Sequence, residues 1–158
     1  MKALAQFGVK MPAFGITYLG SPAVYQALGA QAASTYNFIS CFTPGGTDQS
    51  PGNREMSAFA DKMGRSAMKQ DINYVGGWVA GQMAAESIAR LGASPSRAKL
   101  VESLAKGFTV DSKGLAAPFS YTATDHNGPS VLKMFTYDYA TSKFKSFGEF
   151  GDYAKYTK

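Results

Sequence analysis

Cys41 and His126 are the single thiol and the single imidazole of this 158-residue sequence, so they form its one possible pairing of a sulfur nucleophile with a histidine base. A reactive thiol needs an electropositive, partly exposed setting. Cys41 instead lies in the apolar run "NFISCF", where a buried thiol behaves as a small hydrophobe, and His126 in "TDHNGP" reads as a polar turn residue. A lone cysteine excludes an intrachain disulfide, and a lone histidine excludes the usual zinc clusters. G-x-S-x-G, P-loop, dinucleotide and H-E-x-x-H patterns are all missing from the sequence. The residue types therefore offer an enzyme no evident place to work, and neither metal nor cofactor is expected.

Hydroxyl and aromatic groups are better candidates. In "AFGITYLGSPAVYQALG" an apolar run ends at Thr17 and Tyr18, then turns through Gly20, Ser21 and Pro22 into a helical pattern. Ligands of open α/β sheets gather at the carboxyl ends of strands, which makes Thr17 and Tyr18 candidates for ligand contact. Tyr74 stands in the first turn of a long helical segment, where a helix N-terminus meets a loop. Its apolar body and wet tip suit either a cleft wall or a cover for the end of the core.

These groups need elements to hold them. "MKALAQFG" reads as the last turns of an amphipathic helix with Leu4 and Phe7 on one side and Gly8 at its C-cap. A strand is expected over Ala13–Thr17, a helix from Ser21 and Pro22 to about Leu28, and a second strand over "TYNFISCF". Helix, strand, helix, strand argues for parallel pairing through right-handed crossovers. "TPGGTDQSPG" over 43–52 then breaks the chain before a helical middle. There Asn53 is expected to cap a helix with Met56, Phe59, Ala60 and Met63 on one face, ending at Gly64. Asp71 is expected to cap a helix to Leu91, with Gly92 after it. Ser94 and Pro95 are expected to open a third helix, with Val101, Leu104 and Ala105 inward. Gly77, Gly81 and Ala85, beside Gly76, Ala80 and Ala84, give the long helix two rows of small residues suited to close packing. From Phe108 the period becomes two, predicting a strand in "GLAAPFSYTA" and then a hairpin turning near Thr141 and Ser142.

The 45% hydrophobic content suits a folded domain with a real core. The net charge of +5 comes from scattered Lys and Arg that form no run, so no nucleic-acid partner is expected. The segment "INYVGGWVAGQMAAESIARL" has the length of a membrane span but carries Gln82, Glu86 and Arg90, whose insertion would be costly. "MKALAQFGVK" lacks the uninterrupted apolar core and the cleavage site of a signal peptide.

In this order, "ALAQFGVKMPAFG", "NREMSAFADKM", "INYVGGWVAGQMAAESIARLG" and "VESLAKGFTVDSKGLAAPFSYTATDHNGPSVLKMF" resemble the C-terminal part of the type I periplasmic solute-binding proteins, in the branch of branched-chain amino acid receptors of ABC transporters. The resemblance covers almost the whole chain. It implies an α/β fold with Rossmann-like lobes, parallel sheets flanked by helices, and a C-terminal β-hairpin. It places 1–42 in the second lobe, 43–52 in a crossing, 53–114 in the first lobe, 115–122 in another crossing, and 123–158 back in the second lobe. The chain is then expected to be a fragment lacking a larger N-terminal portion, which would supply the signal peptide and the Ser and Thr groups that hold a solute carboxylate.

The same resemblance implies a non-enzymatic periplasmic receptor that closes on a small solute and presents it to an ABC transporter permease. Tyr74 falls where the family sets an aromatic against the solute. Thr17, with Tyr18 beside it, falls at the strand end that carries an acidic ammonium-binding residue in amino acid receptors. Thr in place of that acid points to a carboxylate-bearing solute, aromatic or apolar, in preference to an α-amino acid. A cytoplasmic ligand sensor on the same fold is the alternative, and a hydrolase using Cys41 ranks third. The apolar edges at 13–17 and 35–42 lead us to expect self-association of the chain.

Overall fold

The alternation at the start of the chain yields the expected parallel pair. The computed structural model describes residues 1–152, in which helix α1 (Lys2–Gln6) leads to strand β1 (Ala13–Gly15), helices α2 (Pro22–Leu28) and α3 (Ala30–Ala33), and strand β2 (Tyr36–Ser40). β1 and β2 run parallel, with Ala13 opposite Tyr36 and Gly15 opposite Phe38. Helices α4 (Pro51–Lys62), α5 (Ile72–Leu91) and α6 (Arg97–Ala105) follow, then the short strands β3 (Phe108–Val110) and β4 (Phe119–Tyr121). The chain returns as the hairpin β5 (Val131–Asp138) and β6 (Lys143–Asp152), turning through Ser142 at φ +54°. β5 pairs antiparallel with β2, so the order β1-β2-β5-β6 makes a mixed four-stranded sheet, while β3 and β4 form a separate antiparallel pair. This is the α/β class with a C-terminal hairpin read from the sequence. Residues 153–158 of the expected return lie outside the described residues.

Burial sorts the apolar residues into two clusters. On one face of the four-stranded sheet, Tyr25, Tyr36, Phe38, Phe135, Tyr137 and Phe144 are buried together, with Phe38 stacked on Phe135 at 5.1 Å between ring centroids. The second cluster gathers Met56, Val75, Val79, Leu115, Ala116 and Phe119 from α4, α5 and the segments near β4. Phe42 packs against both.

Several local expectations are corrected. β1 stops at Gly15, and Thr17 opens a single 3₁₀ turn, Thr17–Leu19, instead of ending a strand. α4 starts at Pro51 under a Ser50 cap, because Ser followed by Pro is the stronger helix start. Asn53 is thereby placed inside the helix. α6 begins under Ser96, after the expected Ser94 and Pro95, and its Val101 and Ala105 are exposed. Phe59 and Met63, expected on one face with the buried Met56 and Ala60, are exposed. A Cβ added at Gly77 or Gly81 would meet nothing within 4 Å, so neither glycine brings α5 close to a neighbour among the described residues. In the other row Gly76 does lie close to an aromatic ring, that of Phe42. Among the described residues no helix is long and apolar enough to cross a membrane.

β1 is an edge of the sheet, with Phe14 59% exposed and Ile16 just beyond it 62% exposed. An open edge with apolar side chains invites pairing. Sedimentation of the chain is expected to show dimers or larger species, and a clean monomer at high concentration would contradict this. Tyr25 is fully buried and its hydroxyl has no hydrogen-bond partner among the described residues. Burial, then the neighbouring Tyr36 and Tyr139, push its pKa up. The unfolded chain would therefore ionise Tyr25 above about pH 10 while the folded one keeps it neutral, so this residue's contribution to stability is lost as pH rises past that point. Tyr25→Phe removes an unsatisfied hydroxyl. It is expected to leave the neutral-pH Tm unchanged or raised and to soften the alkaline loss, whereas a fall of several degrees at pH 7 would contradict that account.

Candidate functional site

The carboxyl end of β1 and the start of α5 meet. After Gly15 the chain turns through Thr17–Leu19, and this turn packs against α5. Thr17 Oγ1 donates to the carbonyl of Ile39 at 3.2 Å, which ties the turn to β2 and leaves Thr17 only lone pairs to offer outward. Tyr18 projects from the turn, 72% exposed. Gly20 is required here, since a Cβ would come within 2.4 Å of the Phe38 ring. Its carbonyl accepts from the Ile72 amide at 3.3 Å.

Ser21 was expected to cap α2, and it does occupy the N-cap position, but its hydroxyl makes no bond to that helix. It donates instead to Asp71 Oδ2 at 2.8 Å. Asp71 is the cap expected of it, with Oδ1 accepting from the Asn73 amide at 2.9 Å and from Asn73 Nδ2 at 2.9 Å. Such a cap contributes about 1 kcal/mol. One turn into α5, Tyr74 is half-buried against the second cluster, so it covers the end of that core and keeps part of its surface open. Thr17, Tyr18 and Tyr74 thus lie on two segments that the backbone brings to one junction. Ser21 and Asp71, read from the sequence only as caps, are the side chains that join those segments. Two capping residues in sequence carry no sign that they bond to each other.

Asn53, misread as a cap, is a fully buried brace for the loop before α4. Its Nδ2 donates to the Pro44 carbonyl at 3.1 Å and its Oδ1 accepts from the Gly46 amide at 2.8 Å. Beside this loop a cleft of about 240 Å³ brings Arg54, Lys69 and Lys143 together. Arg54 is already donating to the Gln49 carbonyl at 2.7 Å, and Lys69 is paired with Asp61 at 2.8 Å, which discounts the cleft as an anion site.

Cys41 and His126 occupy different settings. Cys41 is half-buried beside the second cluster, in a stretch where its carbonyl accepts from the Ala117 amide at 2.8 Å. His126 is exposed in the loop between β4 and β5.

A family model described as periplasmic binding protein matches residues 1–143. Among solved structures, a branched chain amino acid ABC transporter from Thermus thermophilus with bound valine is similar, at TM-score 0.78 and 20% identity over 95% of this chain and 41% of that one. A fatty acid ABC transporter substrate-binding protein from Thermomonospora curvata reaches TM-score 0.76 at 17% identity, over 95% of this chain and 39% of that one. An ABC transporter substrate binding protein from Aeropyrum pernix gives 0.73 at 18%, over 96% and 40%. The chain therefore spans about two-fifths of the length of these structures. No curated protein matches.

Burial pushes the Cys41 thiol pKa up, against a smaller lowering from a backbone hydrogen bond. Less thiolate and less access both slow attack. Iodoacetamide is expected to alkylate Cys41 markedly more slowly in the native chain than in urea at about pH 8. Faster reaction in the native state would reopen a nucleophilic role.

Proposed function

This chain belongs to the periplasmic binding protein family, and from that premise we propose that it forms part of an extracytoplasmic solute receptor of an ABC importer. In this reading 1–42 and the return from 123 belong to one lobe, 53–114 to the other, and 43–52 and 115–122 are crossings between them. The pairing of the two connecting segments supports it, with the Thr43 amide donating to the Leu115 carbonyl at 2.7 Å. Thr17 and Tyr18 from one lobe and Tyr74 from the other contribute part of the solute site, with no catalytic step. The remaining walls come from a further portion of the protein, and a membrane permease takes up the solute.

The observation that carries this reading is the junction of the Thr17–Leu19 turn with the first turn of α5, at the carboxyl end of a parallel strand. It also bears on the solute. Thr17 is neutral, and the carboxylate at this junction, Asp71, already accepts from Ser21 and twice from Asn73. A buried ammonium set against Thr17 meets a neutral hydroxyl in place of a direct carboxylate partner, at a cost of about 3–5 kcal/mol. A carboxylic acid with an apolar or aromatic body and no amino group avoids that cost, and Tyr18 and Tyr74 suit a flat body.

Calorimetric titration of the longer protein is expected to show phenylacetate binding more tightly than leucine, isoleucine or valine. Tight leucine binding with no response to aromatic acids would overturn the solute assignment.

A further inference from the structure

We propose that Ser21 and Asp71 form a reversible latch across the cleft, in which the Ser21 hydroxyl holds Asp71 when the lobes are shut and turns back to cap α2 when they part. The inference deepens the receptor reading and rests on its assignment of 1–42 and 53–114 to opposite lobes. Ser21 follows the Thr17–Leu19 turn by two residues, and Asp71 precedes Tyr74 by three. The latch therefore closes beside the candidate solute groups. Across it the Ser21 hydroxyl donates to Asp71, the Ile72 amide donates to the Gly20 carbonyl, and the Ile72 side chain enters the cluster of the four-stranded sheet, whereas Val75 and Val79 of the same helix belong to the second cluster. α5 is one unbroken helix, so it moves as a body with the second cluster, and opening draws Ile72 out of the sheet.

The latch is reversible because each of its polar groups has a second partner. Ser21 stands at the N-cap of α2, yet its hydroxyl makes no bond to that helix in the shut arrangement. An N-cap serine ordinarily accepts from the second or third amide of its helix, here Ala23 or Val24, so rotation of one side chain replaces the bond lost to Asp71. Asp71 keeps its bonds from the Asn73 amide and Asn73 Nδ2. The Ile72 amide is among the first of α5, which have no acceptor within their own helix, and it turns to water on opening. Neither arrangement strands a polar group. Shutting is favoured because a hydrogen bond to a carboxylate is about twice as strong as the neutral bond that the cap returns, and because it takes Ile72 out of water. The latch thus biases the two arrangements of the lobes, and it adds to solute affinity with no contact to the solute.

The test is a distance measurement on the full 158-residue chain without solute. Nitroxides are placed at the exposed positions Gln26→Cys on α2 and Ala84→Cys on α5, in a Cys41→Ser background and diluted with unlabelled chain. Double electron–electron resonance is expected to give a main distance for the latched arrangement and a minor one for the parted arrangement. Asp71→Ser keeps a capping hydroxyl for α5 but is too short to reach Ser21, so it is expected to raise the ratio of parted to latched chains about tenfold or more, as loss of a hydrogen bond to a charged group does. Ser21→Ala removes the latch and the returning cap together, so its rise is expected to be about fivefold smaller, by the worth of one helix cap. The double variant is expected to match Ser21→Ala alone. An unchanged ratio in Asp71→Ser overturns the latch, and equal rises in the two single variants overturn the exchange of partners. Unfolded chains add a broad background and do not move this ratio. The distances are read without solute and so answer for the latch, while the calorimetric titration of the longer protein answers for the receptor reading.

Discussion

Two short connecting segments, 41–43 and 115–117, hydrogen-bond to each other, and the placement of every other element depends on that pairing. The Thr43 amide reaches the Leu115 carbonyl, the Ala117 amide reaches the Cys41 carbonyl, and Phe42 lies opposite Ala116. The chain leaves the four-stranded sheet through one of these segments and approaches it again through the other. Neighbouring contacts leave little freedom. The Ser112 hydroxyl bonds both the amide and the carbonyl of Ala116, and a Cβ at Gly52 would come within 2.0 Å of the Ser112 carbonyl. With both routes fixed, α4 and α5 have one place to go, and the start of α5 arrives at the end of β1.

What was legible in the sequence was whatever a residue does to its own neighbours in the chain. Asp71 and Gly92 bound α5 as read, because an N-cap carboxylate and a left-handed glycine, here at φ +68°, act within one turn. The hairpin turn, the two strands before the break and the α/β class were legible for the same reason. Ser21 and Asn53 were misread because both have the chemistry of a cap while their partners lie elsewhere, Asp71 for one and the 44–46 loop for the other. Val101 shows a different limit. Its spacing puts it on the apolar face of α6, but helical periodicity states which side would be covered and not whether anything covers it.

The candidate site was legible in part. Strand-end logic led to Thr17 and Tyr18, and helix-start logic led to Tyr74. That the two segments adjoin required a contact across about fifty residues of sequence, which no local pattern encodes. The commitment of the Thr17 hydroxyl to Ile39 was equally hidden, and it matters chemically, since it turns a group that both donates and accepts into one that presents lone pairs.

The stacked pair Phe38 and Phe135 joins strands nearly a hundred positions apart, on opposite sides of the helical middle. β2 therefore leaves the ribosome long before β5 exists, and during synthesis its apolar face has no permanent partner. Non-local pairing of this kind slows folding, because loop-closure entropy is spent before any contact repays it. α4 and α5, whose helical backbone hydrogen bonds are local, can order first and shorten the effective loop that the sheet must close. The nascent chain nonetheless passes through an interval with β1 and β2 uncovered, and that interval is where a holding chaperone would act.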